Sequence, residues 1–260
     1  MKLPIYQADA FTSSLFGGNP AAVVPLNEWL SEEQMQNIAA ENNLSETAFF
    51  VPEGAGYRLR WFTPTVEVDL CGHATLATAH IIFEELNYDQ EEIIFKTKSG
   101  LLTVYREAGR LVMNFPAVEM PQMEAPAILL EALGLKEIPE VYKTDDYMVV
   151  LNSEKEVFAL DPDFRLLGDI DARGIIVTAP GDNVDFVSRF FAPQSGIDED
   201  PVTGSAHTKT APYWSKKLKK EVLEARQISK RKGEITCRLL NDRVEIIGNA
   251  VTYLKGEIFV

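Results

Sequence analysis

The sequence predicts an α/β (α+β) protein of two pseudo-symmetric domains, each a barrel-like sheet wrapped around one central helix. The first observation is an internal repeat, in which residues 60–64 (RWFTP) resemble 189–193 (RFFAP) and residues 71–79 (CGHATLATA) resemble 203–211 (TGSAHTKTA). The second is a shared order, because in both halves strands, a Phe-x-Pro turn, a loop, a glycine, a helix and a strand meander follow one another. Chance similarity of two short segments, the alternative, would not explain that order.

The elements of the first half follow from local patterns. KLPIYQADAF alternates weakly and predicts a strand that stops at the turn formers SSLFGGNP, and AAVVPL predicts a second strand. Asn27 or Ser31 caps a helix over SEEQMQNIAAENN, whose first turn carries acidic residues that suit the helix dipole. TAFFVP and YRLRWFTP predict a hairpin, and HATLATAHIIFEEL, apolar on nearly all sides, predicts a helix buried in a core. IIFKTKSGLLTVYREAGRLVMNFP predicts three further strands.

A proline-rich segment, MNFPAVEMPQMEAP, is the best candidate for a linker between the halves. A short helix over AILLEALGL follows, and then strands over VYKTDDYMVVLNS, VFALDPD, IIVTAP and VDFVSRFFAP. DEDPVTGSAHTKTAPYWSKKL predicts a loop that leads into a helix, and a last strand meander closes the chain. We therefore expect one domain over residues 1–116, joined by a returning strand over 250–260, and a second domain over 117–249.

Composition and charge argue against several classes of function. With 25 basic and 39 acidic residues the net charge is −14, which repels nucleic acid and anionic membrane surfaces. The N-terminal residues lack a signal-peptide pattern, and no apolar stretch is long enough to span a bilayer, so we expect a soluble cytoplasmic protein. Two cysteines and three histidines, without CxxC or HExxH spacing, predict neither a disulfide framework nor a zinc site.

Two glycines, Gly72 and Gly204, stand where a loop enters each predicted central helix. The free N–H groups and the positive end of the dipole at such a point suit a carboxylate, so two such ends across a cleft would bind a small anionic metabolite. The simpler interpretation is that both glycines only permit a tight helix entry. It does not explain the reactive residues around them, which are Asp69, Cys71, His73, Asp198, Glu199, Asp200, Thr203, Ser205 and His207.

A third candidate, Glu46, precedes an apolar strand, where burial would raise its pKa toward the range of general acid/base catalysis. On composition alone, a surface carboxylate that ends a turn is the more common fate of a glutamate. The segments QADAF-x5-GGNPAAVV, NLSETAF, CGHATLATA and DEDPVTGSAH, in this order and at these spacings, together resemble the phenazine-biosynthesis PhzF-like isomerase family over most of the chain. The resemblance implies the diaminopimelate-epimerase-like fold, which agrees with the internal repeat.

The resemblance also implies roles for individual residues. Glu46 matches the acid/base that moves a proton between carbons of a cyclic diene amino acid, while His73 and Asp200 match residues that bind and orient the substrate. Asn19 is expected to line the same cleft. No metal, nucleotide or pyridoxal cofactor is implied, which agrees with the lack of GxGxxG and phosphate-loop motifs. The groups expected to hold the substrate carboxylate are Gly72, Gly204 and Ser205.

Two other functions stay open. Epimerases and racemases of this fold use a thiol on each side of a carbon, and Cys71 occupies one such position while Thr203 replaces the other. A Cys71/Thr203 racemase, epimerase or dehydratase is therefore an alternative, although a free cysteine is more often a small buried apolar residue. A small-molecule-binding protein without catalysis is the other, and the presence of Glu46, His73 and Asp200 together favours an enzyme.

The remaining candidates have structural interpretations. Cys237 lies in an apolar strand and His80 in the first central helix, so we expect both to pack in the core. His207 either reaches the cleft or caps its helix locally. A homodimer is the default expectation for the assembly.

Overall fold

The structure, a computed structural model, describes residues 1–137 and 140–260. The chain divides into two compact units, of which the first comprises Met1–Asn114 with Ile247–Val260 and the second Phe115–Ile246. Both units contain strands and helices, so the chain is a mixed α/β protein as the sequence predicts.

The first unit combines a β-sheet with two helices. Its strands are β1 (Lys2–Ala10), β2 (Asn19–Pro25), β3 (Glu46–Glu53), β4 (Gly56–Phe62), β5 (Glu67–Val68), β6 (Glu92–Thr97), β7 (Gly100–Glu107), β8 (Arg110–Pro116) and, from the end of the chain, β18 (Ala250–Phe259). β1 pairs antiparallel with both β18 and β2, β2 runs parallel to β3, and β3 pairs antiparallel with β4. β4 then pairs antiparallel with β5 and parallel with β6, and β6, β7 and β8 form the predicted meander.

The two helices of this unit are α1 (Glu32–Asn42) and α2 (Gly72–Glu85). Ser31, rather than Asn27, caps α1, and it forms a capping box with Gln34. α2 packs against β1, β2, β3 and β18, and most of its side chains are buried, as its apolar composition predicts. With 14 residues α2 is too short to cross a bilayer. No helix in the described part of the chain is long and apolar enough to do so.

The second unit repeats this plan with more helical turns. Its strands are β9 (Gln122–Met123), β10 (Glu140–Lys143), β11 (Asp146–Val150), β12 (Gly174–Pro180), β13 (Phe186–Ala192), β14 (Ile197–Asp200), β15 (Val222–Gln227), β16 (Gly233–Leu240) and β17 (Arg243–Gly248), along which the chain returns to the first unit. Its helices are α3 (Ala127–Leu133), α4 (Glu154–Phe158), α5 (Phe164–Gly168) and α6 (Gly204–Leu218), and a 3₁₀ turn spans Pro193–Ser195. α6 packs against β15 and β16.

One predicted strand is wrong. VFALDPD was expected to be extended, but its first residues end α4 and the rest connect α4 to α5. The hydroxyl of Ser153 accepts a hydrogen bond from the N–H of Glu156, and Asp163 caps α5 in the same way. These two caps begin short helices at each end of the segment, which outweighs the β-propensity of its few apolar residues.

The strand pairing confirms the internal repeat. In the first unit the order is β2 parallel to β3, β3 antiparallel to β4, β4 antiparallel to β5, β4 parallel to β6, and β6 antiparallel to β7. In the second unit β11, β12, β13, β14, β15 and β16 repeat those five pairings in the same order and directions. The central helix follows the short strand in both cases, so the two similar sequence motifs enter equivalent helices.

A proline inside α6 is accommodated by the segment that opens the second unit. Pro212 has no N–H to donate to the carbonyl of Thr208, one helical turn earlier. The N–H of Val118 donates to that carbonyl instead, at 2.9 Å. The segment between β8 and β9 is thereby attached to the central helix of its own unit.

Candidate active site

A short turn after α1 fixes the position of Glu46. α1 ends at Asn43, which adopts a left-handed conformation (φ 50°) and donates its N–H to the carbonyl of Ala39. Glu46 then begins β3, in register with Ala21 of β2. Its side chain is 13% exposed, which is unusual for a glutamate and rejects the interpretation as a plain surface carboxylate.

The carboxylate of Glu46 faces His73, the second residue of α2. Oε2 of Glu46 lies 3.1 Å from Nε2 of His73, whose side chain is 5% exposed. The contact is a close, buried charge pair, which holds the Glu46 carboxylate beside the ring of His73.

The other ring nitrogen of His73 faces Asn19 and Cys71. Nδ1 lies 3.2 Å from the amide nitrogen of Asn19 and 3.5 Å from the sulfur of Cys71. Burial acts to lower the pKa of His73, but the carboxylate of Glu46 beside the ring helps to raise it well above the ordinary 6.5. A protonated His73 donates from Nδ1, and the Asn19 amide supplies the acceptor when its oxygen faces the ring.

Cys71 is a protonated thiol at neutral pH. Burial, together with the charge of Glu46, raises its pKa to about 11, although the residue is the N-cap of α2. The helix terminus would favour the thiolate, so burial outweighs the dipole here. This environment suits the interpretation of Cys71 as a small buried residue better than that of a catalytic base.

Three potential metal ligands also meet at this point. One atom each from Glu46, Cys71 and His73 lies within 4.8 Å of the other two, although their spacing in the sequence matches no zinc motif. Glu46 and Cys71 approach opposite nitrogens of the ring, so a single ion would bind all three only after a side chain turns. That the chain works without a metal stays a prediction.

In the second unit, a buried network fixes the loop before α6. Asp200 ends β14, and the hydroxyl of Thr203, the N-cap of α6, donates to its carboxylate. Gln227 is fully buried and joins this loop on both sides. Its amide nitrogen donates to the carbonyl of Asp200 at 2.7 Å, and its amide oxygen accepts from the N–H of Thr203 at 2.9 Å. Gln227 was not predicted, because a single glutamine at the end of a strand carries no sequence signal.

The first turn of α6 carries Gly204 and Ser205 next to a guanidinium. Nη1 of Arg173 donates to the hydroxyl of Ser205 at 3.1 Å, and Arg173 also pairs with Asp145 and with the fully buried Asp146. Lys209, which is buried as well, pairs with both aspartates.

The cations Lys209 and Arg173 determine the direction in which the pKa of Asp145 shifts. Burial alone would raise the pKa of Asp145, but Lys209 and Arg173 lower it to about 2. Arg173 was not predicted from the sequence. The available signal was its place one glycine before the apolar strand IIVTAP.

Comparison with known proteins decides the family. The model of the family described as phenazine biosynthesis-like protein (PhzC-PhzF) matches residues 8–256. The chain belongs to this family. An uncharacterized isomerase of Pseudomonas aeruginosa is 53% identical over 258 residues, which are 99% of this chain and 99% of that protein.

Solved structures agree with the assignment to the PhzC-PhzF family. The crystal structure of a PhzF-family phenazine biosynthesis protein from Enterococcus faecalis has a TM-score of 0.97 at 47% identity, with 100% of both chains covered. A hydroxyproline epimerase from Agrobacterium vitis has a TM-score of 0.62 at 10% identity over 99% of this chain and 92% of that one, which shows a shared fold alone. The predicted diaminopimelate-epimerase-like fold is confirmed, and the relatives named isomerases support a general isomerase role.

Two histidines and one cysteine of this PhzC-PhzF protein are structural. His207 is fully buried, its Nδ1 donates to the carbonyl of Thr203 at 2.8 Å, and burial lowers its pKa to about 4. It therefore caps its helix locally, which settles the two expectations for it. His80 contacts the hydroxyl of Thr252 at 3.0 Å, and Cys237 is fully buried in β16, so both pack as expected.

Proposed function

We propose that this protein is a cofactor-independent isomerase that moves a proton between carbons of a small carboxylate-bearing metabolite, with Glu46 as the acid/base. A cyclic amino acid is the substrate class that the family resemblance implies. The observation that carries the proposal is the buried pair of Glu46 and His73, whose facing atoms lie 3.1 Å apart.

The chemistry needs one carboxyl group and one cation. The Glu46 carboxylate removes a proton from one carbon of a conjugated substrate, and the electron pair of that C–H bond moves into the conjugated system. The same carboxyl group then returns a proton to another carbon, so that atoms and charge balance over the cycle. The protonated His73 stabilises the negative charge that develops between these two steps, because the pair is shielded from water.

The residues of the second unit have the binding roles that the family resemblance implies. Asp200 is held by Thr203 and Gln227 and is therefore preorganised to orient a polar group of the substrate. The N–H groups at the start of α6 and the hydroxyl of Ser205 suit a carboxylate. Because Ser205 accepts a hydrogen bond from Arg173, its own O–H proton is left to donate to such a group.

The test is hydrogen exchange at carbon, followed by proton NMR in deuterated water. The panel holds cyclic amino acids, including a dihydro-hydroxyanthranilate, with diaminopimelate, proline and hydroxyproline as epimerase controls. We expect wild type and Cys71→Ala to exchange a carbon-bound hydrogen of one cyclic amino acid and Glu46→Gln to lose about 10²–10⁴-fold in rate.

The opposite result separates the alternatives. If Cys71→Ala abolishes exchange while Glu46→Gln retains it, the proposal is wrong and the protein is a thiol-dependent racemase, epimerase or dehydratase. If no panel member exchanges while at least one binds in a titration, the binding-protein function replaces the proposal. Thermal melting of both variants checks that each is folded.

A further inference from the structure

A buried tryptophan of the first unit, Trp61, carries a hydrogen-bond donor without an acceptor. Trp61 lies in β4, within the repeated motif RWFTP, to which the proposed function gives no role. It is 1% exposed, and its indole N–H makes no hydrogen bond with any residue that the structure describes. A buried donor of this kind loses its hydrogen bonds to water, so nearly all such groups in proteins find a partner. The N–H of Trp61 therefore requires an explanation.

The other fully buried tryptophan does have an acceptor. Trp214, in α6, is also 1% exposed, but its indole N–H donates to the hydroxyl of Thr178 at 2.9 Å. The third tryptophan, Trp29, is only partly buried. Deep burial of a tryptophan thus does not by itself leave the N–H unpaired in this protein, and the environment of Trp61 is the exception.

Strand register places Trp61 on the face of the sheet that carries Glu46. Trp61 lies opposite Ala48 of β3, and side chains alternate between the two faces of a strand, so Trp61, Ala48 and Glu46 share one face. Phe49 points to the other face, where it packs in a cluster with residues of α1. Glu46 faces His73 of α2, so the indole of Trp61 lies on the α2 side of the sheet.

The second unit shows how far an aromatic side chain reaches from this position. Phe190 is the equivalent of Trp61 and Gly174 that of Glu46, because β12 and β13 repeat the pairing of β3 with β4. The ring of Phe190 occupies the space that a Cβ on Gly174 would need. Residues in this diagonal relation across two strands are within reach of aromatic and long side chains. The indole of Trp61 therefore borders the side chain of Glu46.

The polar side chains of the site do not supply the missing acceptor. Glu46, Cys71 and His73 bring an oxygen, a sulfur and a nitrogen close together, yet none of them accepts from Trp61 in the part of the chain that the structure describes. The facing atoms of Glu46 and His73 are themselves shielded from solvent, so a substrate that reaches them enters the same buried region. A free donor beside the acid/base suits an acceptor that arrives with the substrate.

From these observations we propose that the indole N–H of Trp61 donates to an acceptor atom of the bound substrate and selects for substrates that carry it. The inference rests on the proposed function, which places the reacting carbons beside Glu46. An indole N–H is an uncharged donor only, so its partner is a lone pair on a hydroxyl, carbonyl or carboxylate group. A substrate without this acceptor is disfavoured, because the N–H then stays unpaired in the complex.

The indole N–H resonances of ¹⁵N-labelled protein test the contact without an activity assay. The chain has three tryptophans, and the resonance that is missing in Trp61→Phe belongs to Trp61. The wild type is titrated with the dihydro-hydroxyanthranilate and, separately, with hydroxyproline. We expect the Trp61 proton to shift to higher frequency with the ligand that binds, because it gains an acceptor. The Trp214 proton stays in place, because its acceptor is already present.

Kinetics of Trp61→Phe measure what the donor contributes. The variant keeps an aromatic ring but removes the N–H, and Phe190 shows that the shared topology accommodates phenylalanine at this position. We expect KM to rise about tenfold with kcat unchanged, because the N–H binds the substrate and the transition state alike. The matched control is Trp29→Phe, which lies in the α1 cluster on the opposite face of the sheet and leaves KM unchanged. Thermal melting confirms that both variants are folded.

Three results would overturn the inference. They are a Trp61 resonance that neither ligand moves, an unchanged KM in Trp61→Phe, and a Trp61 proton that already has the frequency of the bonded Trp214 proton in the free protein. In the last case a buried water satisfies the donor. Failure of the proposed function looks different, because Glu46→Gln then retains exchange, whereas the Trp61 resonance of the wild type still reports the contact.

Discussion

Near the start of equivalent strands the two repeated units carry opposite charge, although not at the same position. The strand pairing makes Gly174 the equivalent of Glu46, and Arg173 precedes Gly174. In the first unit Glu46 begins the strand that runs parallel to β2, and its carboxylate faces His73 at the start of the central helix. In the second unit Arg173 stands directly before the equivalent strand, β12, and its guanidinium contacts Ser205 at the start of the equivalent helix. The same topology therefore places a carboxylate against a histidine in one unit and a guanidinium against a hydroxyl in the other.

The two units share one topology but suit different chemical roles. A buried carboxylate beside a histidine suits proton transfer, whereas a fixed hydroxyl at a helix N-terminus beside a guanidinium suits anion binding. Neither arrangement follows from the topology, because both units have the same one. The side chains at two positions in each unit decide which chemistry that unit suits.

The histidines of the two central helices show the same contrast. His73 and His207 are both buried in the first turns of their helices. Burial acts to lower the pKa of both, but the Glu46 carboxylate opposes this for His73, whereas the partners of His207 are the neutral carbonyl of Thr203 and hydroxyl of Ser188. One histidine is thus a cation at neutral pH and the other a neutral cap.

Among the substitutions that test this contrast, we expect His73→Gln to have the largest effect on activity. It keeps a polar side chain beside Glu46 but removes the cation that stabilises the developing charge, so kcat for proton exchange falls by about 10³-fold. The control is His80→Gln in the same helix, which leaves kcat unchanged. Equal rates in His73→Gln and wild type would remove His73 from the mechanism.

The next effect concerns stability at acid pH. Between pH 6.5 and about 4 the unfolded chain protonates His207 while the folded chain does not, so the free energy of unfolding decreases as the pH falls. The titration of His207 alone lowers the free energy of unfolding by about 3 kcal/mol across this interval. His73 has the opposite sign, because its raised pKa stabilises the fold at low pH and that stabilisation is lost as the pH rises through the folded-state value.

Urea unfolding of wild type and His207→Gln over this pH interval measures the difference. The variant is expected to be less stable at neutral pH, where it loses a fitted cap, yet to show a flatter decline toward acid. Two parallel stability curves would mean that His207 titrates normally in the folded state.

The smallest effect is expected at Arg173. Arg173→Lys keeps a cation against the buried Asp146 but loses the second arm that holds Ser205, so KM rises about tenfold while kcat is unchanged. Ser205→Ala has a similar effect, and the double variant adds nothing further because both act through one hydroxyl. A fall in kcat with constant KM, or additive losses, would contradict the assignment of Arg173 as a positioning residue.

The fold and several residues of the candidate site could be predicted from the sequence. Repeated motifs and strand patterning specify the duplicated plan, because period and turn chemistry are local properties of the chain. The segments around Glu46, His73 and Asp200 identify the family for the same reason.

The protonation and the partners of these groups depend on the folded structure. The charge of His73 depends on Glu46, and the position of Asp200 depends on Gln227. The two members of each pair are distant in sequence and meet only after packing. The strand expected over VFALDPD failed because two caps began helices there. Burial and electrostatics act through space, so a linear pattern names the reacting groups but does not set their protonation or their partners.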